Sequence, residues 1–203
     1  MKKIKELLEK QTVQKLFLCF WMYAILGWCY EVFLEVVVYK WGFTNLGIMF
    51  GPYCPIYAVG ALLFLLFFSK FMKKEGGLLL QISRPFIIFF GSMAVATAVE
   101  LTGTYILEYF TGSWPWNTYA DYDINFQARI ALSPSLRFGM GGILFMYFIQ
   151  PFYNWLLAKP KPKTLNIITL AVLVIVLTDF IVTKATGYTP KLAQVESAVS
   201  AFS

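Results

Sequence analysis

Five runs of about twenty mostly apolar residues occupy most of the chain, and about twenty is the length a helix needs to cross a bilayer. In hydrocarbon each backbone N–H and C=O must be bonded inside the protein, so a run of this kind is solved most simply by an α-helix. The sequence predicts spans over residues 16–39, 46–68, 85–110, 134–157 and 165–186. The apolar triplet 78–80 is too short to span by itself. Only 14% of the 203 residues are charged, and mean hydropathy is +0.65. A sizeable soluble domain has no room here. The expected fold class is all-α, a polytopic membrane helical bundle of about five transmembrane helices. A leader at 1–15, a transmembrane domain at 16–186 and a tail at 187–203 complete the expected organisation.

Several classes of chemistry are excluded or disfavoured. There is no histidine, which removes histidine-dependent triads and histidine metal sites. Cys19, Cys29 and Cys54 form no C-x-x-C pair and read as small buried hydrophobes. No G-x-x-x-x-G-K-[ST] run occurs, so energy from ATP would have to come from a separate ATPase subunit. No catalytic residue, metal site or cofactor is expected.

Basic residues set the expected orientation. Lys2, Lys3, Lys5, Lys10 and Lys15 precede the first span. Lys70, Lys73, Lys74 and Arg84 follow the second, and Lys159, Lys161 and Lys163 follow the fourth. This alternation places the N-terminus in the cytoplasm and the C-terminus outside, in a multi-pass protein of the cell membrane. Residues 1–15 carry too much charge for a cleavable signal peptide. They read as an amphipathic helix on the inner membrane surface or as a solvated leader. The net charge of +6 then reflects orientation and contact with the lipid bilayer, not nucleic acid.

Against this background five acids stand out, Glu31, Glu35, Glu100, Glu108 and Asp179. An ionisable group in lipid costs about 2.5–3.5 kcal/mol on insertion scales, so it normally faces protein or trapped water. At 1.5 Å per residue, Glu31 and Glu100 each lie roughly 22 Å from the inner edge of their spans. Asp179 is at a similar distance along the fifth span, and Glu35 and Glu108 lie further out. The outer half also holds Gly51-Pro52-Tyr53-Cys54-Pro55, whose two prolines predict a broken second helix. Gly139, Gly141 and Gly142, early in the fourth span, predict close approach of a neighbouring helix.

Helical spacing arranges these residues on faces. Thr97, Glu100, Thr104, Glu108 and Thr111 form a polar stripe, Trp28, Glu31 and Glu35 a shorter one, and Asp179 and Thr183 share a face. Such stripes serve as interhelical glue or line a water-filled or ligand-binding site. Arg129 and Arg137 are the natural counter-charges. Five ionised acids would exceed them by three charges, so the site either holds protons or admits a cation. The aromatic and polar stretch 111–133, with Trp114, Trp116, Tyr119 and Tyr122, is a candidate re-entrant segment before the fourth helix. It reads as an interfacial belt or as a lid.

Gly27-Trp28 with Glu31, then Asn45-Leu46-Gly47, then Gly51-Pro52-Tyr53-Cys54-Pro55-Ile56-Tyr57, resembles the ABC-transporter permease family called CmpB-like. Glu100 with Leu107-Glu108, and the stretch through Asn125 to Arg129-Ile130, resemble it as well. The resemblance spans about residues 26–151. Two positions depart from the family's pattern. Asn117 stands where the family has Asp, with Asp121 and Asp123 as nearby charged alternatives, and Ala128 stands where it has Gly before the Arg.

The leading expectation is a permease-like transporter component with an outward-facing acidic cavity between spans 1, 3 and 5, for a cation or proton. The candidate binding residues for an unknown small solute or ion are Glu31, Glu35, Glu100, Glu108, Asn125, Arg129, Arg137 and Asp179. The candidate gating or structural residues are Trp28, Asn45, Gly51, Pro52, Tyr53, Cys54, Pro55 and Trp116. A separate ATPase subunit or a homo-oligomer would be the protein partner. Two alternatives stand beside this one. An outer-leaflet enzyme could act on a lipid or lipid-linked substrate through paired carboxylates, with magnesium or calcium as the metal they suit. A non-catalytic membrane assembly partner would use the same acids as buried structural pairs.

Overall fold

The computed structural model describes residues 2–188 apart from 41, 46, 48, 113, 115 and 116; for residues 2–10, 111, 117 and 118 it describes the backbone only. Trp116 and most of the expected tail lie outside the described residues. Among the described residues six α-helices dominate: α1 (Lys2–Phe33), α2 (Pro55–Met72), α3 (Leu78–Thr111), α4 (Leu132–Leu144), α5 (Gln150–Ala158) and α6 (Pro162–Ala185). Two wider π-helical turns continue them, Leu34–Val38 after α1 and Phe145–Ile149 joining α4 to α5. Among the described residues, five helical stretches are long and apolar enough to cross a membrane: Gln11–Val38, Pro55–Met72, Leu78–Phe110, Leu132–Ala158 and Pro162–Ala185. The chain is a multi-pass membrane protein.

Local chemistry sets the helix ends. Pro55 and Pro162 each occupy the first helical position, where a missing N–H costs nothing and the fixed φ suits the helix. The second span therefore starts at Pro55 and not at residue 46. Between 42 and 54 none of the described residues is helical, so Pro52 and Pro55 precede and open α2 and do not break it. The third span starts earlier than expected, because 78–80 form its first turn and Pro85 is carried inside the helix. Gly112, at φ +79°, closes α3 by donating its N–H to the Glu108 carbonyl at 2.8 Å.

The chain forms two compact units, Met1–Ala58 with Asn154–Ser203, and Val59–Tyr153. In the first, α1 and α6 are joined near one end by the Gln14 amide, which donates to Asn166 Oδ1 at 2.5 Å. Its core includes Leu18, Tyr23 and Ala24 of α1, Leu165 and Val176 of α6, and Met49, Tyr53 and Cys54 of the segment before α2. That segment leaves α1 after Lys40, whose φ of +57° turns the chain away from the helix axis.

In the second unit α4 lies directly on α3. A Cβ at Gly142 would overlap the Ser92 side chain, and one at Gly139 would meet the Phe89 ring at 2.8 Å. Thr97 adds a hydroxyl bond to Ser135 Oγ at 2.8 Å. Two of the three predicted glycines thus permit the close approach, while Gly141 faces open space. Between α3 and α4 the chain makes a short 3₁₀ turn (Asn117–Asp121) and a two-stranded antiparallel hairpin. Its strands β1 (Asn125–Phe126) and β2 (Ile130–Ala131) pair Asn125 with Ala131 and Phe126 with Ile130.

Gly142→Ala is expected to cost about 1–3 kcal/mol through overpacking against Ser92, whereas Gly141→Ala is neutral or mildly stabilising. Thermal unfolding of both variants in detergent checks this, and equal effects would contradict the packing described.

Candidate functional site

In the first unit the acids of α1 and α6 receive hydrogen bonds from the non-helical segment 42–54 and the start of α2. Glu31 accepts a short bond from the Tyr57 hydroxyl in the first turn of α2. Glu35 sits in the π-helical turn and accepts the Thr44 N–H at 3.3 Å. Asp179 of α6 accepts two adjacent backbone donors, Phe50 N–H at 3.2 Å and Gly51 N–H at 2.8 Å, and a third bond from Thr183 Oγ1 at 3.3 Å. A carboxylate is well suited to two neighbouring N–H groups, because each of its oxygens carries two lone pairs.

Asn45 organises the segment from within. Its Oδ1 accepts the Trp28 indole N–H at 2.8 Å and the Gly47 N–H at 3.0 Å. Its Nδ2 donates toward the Met49 and Phe50 carbonyls at 3.2 and 3.1 Å and the Tyr188 hydroxyl at 3.4 Å. Phe50 stacks on Tyr188 with ring centroids 4.2 Å apart. Tyr53 packs edge-on against Trp21, and the Cys54 N–H bonds the Ala24 carbonyl at 2.9 Å. A side chain at Gly51 would collide with the Tyr53 ring, so glycine is needed there. Burial first, and then the negative charges of Glu31 and Glu35, push the Cys54 thiol up to about 12. Burial, with the Asp179 charge second, also raises the Tyr53 phenol.

In the second unit the α3 stripe meets the α3–α4 connection. Glu100 is 6% exposed, Thr104 is fully buried, and Glu100 Oε1 accepts the Tyr119 hydroxyl at 2.8 Å. One face of α3 carries both, as the three- and four-residue spacing predicts. Further along, Arg129 donates to Glu108 Oε2 at 2.6 Å. Its guanidinium lies between two rings, 4.3 Å from the Tyr105 centroid and 4.1 Å from that of Trp114. A planar cation stacked this way keeps its edge free for a carboxylate. The Trp114 indole in turn bonds the Ala128 carbonyl at 3.1 Å, tying the start of the connection to the hairpin. Arg137 donates to the Tyr122 hydroxyl at 3.2 Å and to Ser133 Oγ at 3.3 Å.

Asn125 builds the hairpin turn. Its Oδ1 accepts the Ala128 N–H at 3.0 Å and its Nδ2 donates to the Tyr122 carbonyl at 2.8 Å. Gln127 and Ala128 both have φ of +55°, in the left-handed region that favours glycine. The departure from the family's Gly at Ala128 therefore falls at a position with a steric reason for glycine.

The candidate acids thus fall into two sets, Glu31, Glu35 and Asp179 in one unit and Glu100 and Glu108 in the other. Sequence reasoning singled out Trp28, Asn45, Arg129 and Arg137. It passed over Thr44, Tyr57, Tyr105 and Tyr188, which touch the same groups. For Tyr57 and Tyr188 the available signal was the phenol itself, a polar tip on an apolar ring that takes a hydrogen-bond partner where it is half-buried.

Ala128→Gly is expected to raise stability by about 1 kcal/mol by relieving the left-handed backbone. Arg129→Lys keeps the charge but loses the two-ring stack, at a cost of about 1–2 kcal/mol; unfolding in detergent measures both. Cys54 gives a pH dependence. The unfolded chain releases this proton near pH 9.0, whereas the folded protein holds it to about 12. The folded state then binds more protons, so stability falls as pH rises through that window. Cys54→Ala is expected to flatten the fall, and an unchanged slope would contradict it.

Comparison with known proteins adds one finding. The model of the family described as "Putative ABC-transporter type IV" matches residues 18–184, from α1 to the last turn of α6. No curated protein and no solved structure matches the chain. With the family model reaching into both units and overlapping all five membrane-length stretches, the chain belongs to the ABC-transporter type IV family.

Proposed function

We propose that this protein is a permease-like component of a transport system, and that Glu100 of its second unit binds a proton or small cation. The observation that carries this reading is a glutamate, 6% exposed, within a 34-residue apolar helix, whose carboxylate meets a neutral hydroxyl, Tyr119. A phenol orients and stabilises a carboxylate without cancelling its charge. Its conjugate acid can still form, and a cation can still be attracted. Glu108 differs, because Arg129 neutralises it. In the first unit Glu31 and Tyr57 repeat the carboxylate–phenol pairing and form a second candidate for the same chemistry.

The lysine clusters support a cytoplasmic N-terminus and, with it, a position for Glu100 in the outward half of its span. Family membership and the absence of a phosphate-binding loop support a separate ATPase subunit as the energy-supplying partner.

Uptake into proteoliposomes tests the reading, using a lumenal pH dye and a panel of monovalent and divalent cations. Glu100→Gln, which keeps volume and removes the charge, is expected to abolish flux while membrane insertion and helix content stay unchanged. Flux equal to the parent across the panel would overturn the assignment of Glu100.

A further inference from the structure

We propose that the described residues of 42–54 form a strap on the first unit, latched by Asp179, and that loss of this latch gives water access to Cys54. The inference stands apart from the role of Glu100.

The strap has its own fastening pattern. None of its described residues is in a helix or strand, so its backbone is not held by regular pairing. Among the described residues, the Asp179 carboxylate of α6 holds it on consecutive N–H groups of Phe50 and Gly51. Beyond α6, Tyr188 adds the ring stack on Phe50 and the contact to Asn45. On the α1 side Glu35 takes the Thr44 N–H and Trp28 holds Asn45. The strap's inner side is buried at Met49, Tyr53 and Cys54, while Phe43 and Phe50 are exposed on the outer side.

A carboxylate that accepts two backbone donors is a point fastening. Its replacement by an amide turns one acceptor into a donor and leaves one N–H unmatched. The segment then loses its hold on α6 while the helices themselves are untouched. Pro52 and Pro55 supply no N–H to build a substitute pairing.

Cys54 is a native reporter. The full-length protein in detergent micelles, with Cys19→Ala and Cys29→Ala, is labelled with a water-soluble maleimide at pH 8 and the rate recorded. A companion protein keeps Cys19, buried in α1, as its sole cysteine. Asp179→Asn is expected to speed labelling of Cys54 at least about tenfold, since both access and thiolate fraction rise on exposure, and to leave Cys19 at the parent rate. An unchanged Cys54 rate overturns the latch. Equal acceleration at Cys19 also overturns it, because the whole unit has then loosened. If Asp179→Asn does not fold, Asp179→Ser, which also removes the carboxylate, decides by the same criterion.

Discussion

A carboxylate on a membrane-length helix has to be satisfied by the protein, and in this chain the satisfying donors come mainly from outside the regular helices. Asp179 and Glu35 take backbone N–H groups of the segment before α2. Glu100 and Glu108 take the Tyr119 hydroxyl and the Arg129 guanidinium from the segment between α3 and α4. Glu31 takes the Tyr57 hydroxyl at the very start of α2. Each irregular segment would expose unpaired backbone if left alone in lipid. The acids and the connections therefore stabilise each other, and the placement of one dictates the placement of the other.

Two kinds of donor divide the acids chemically. Arg129 meets Glu108 as a full counter-charge, and two aromatic rings lie within cation–π distance of its guanidinium. Tyrosine hydroxyls meet Glu31 and Glu100 and orient these carboxylates. Backbone amides meet Asp179, which makes it a mechanical fixture. Composition groups the five acids as one class, whereas their donors separate them into an ion pair, two phenol-bonded acids and two backbone acceptors.

Much of this arrangement was legible in the residues. Apolar length gave five spans, three- and four-residue spacing put Glu100 and Thr104 on one buried face, and glycines at 139 and 142 marked close helix packing. Prolines were harder, because the same residue that breaks a helix interior also starts a helix. Pro55 does the latter, so the run that reads as one broken span is a connection followed by α2. The role of Asp179 left no trace, since a backbone N–H has no sequence signature. The partner of Arg129 depended on tertiary placement, and the two rings around it come from α3 (Tyr105) and from the start of the connection that follows it (Trp114).

The central claim is that residues without secondary structure are held as firmly as helices because acids bind them. Site-resolved amide hydrogen exchange at Phe50 and Gly51 measures this directly. The account predicts protection comparable to the neighbouring turns of α6, whose carboxylate holds both groups. Exchange at the rate of an open loop would contradict it.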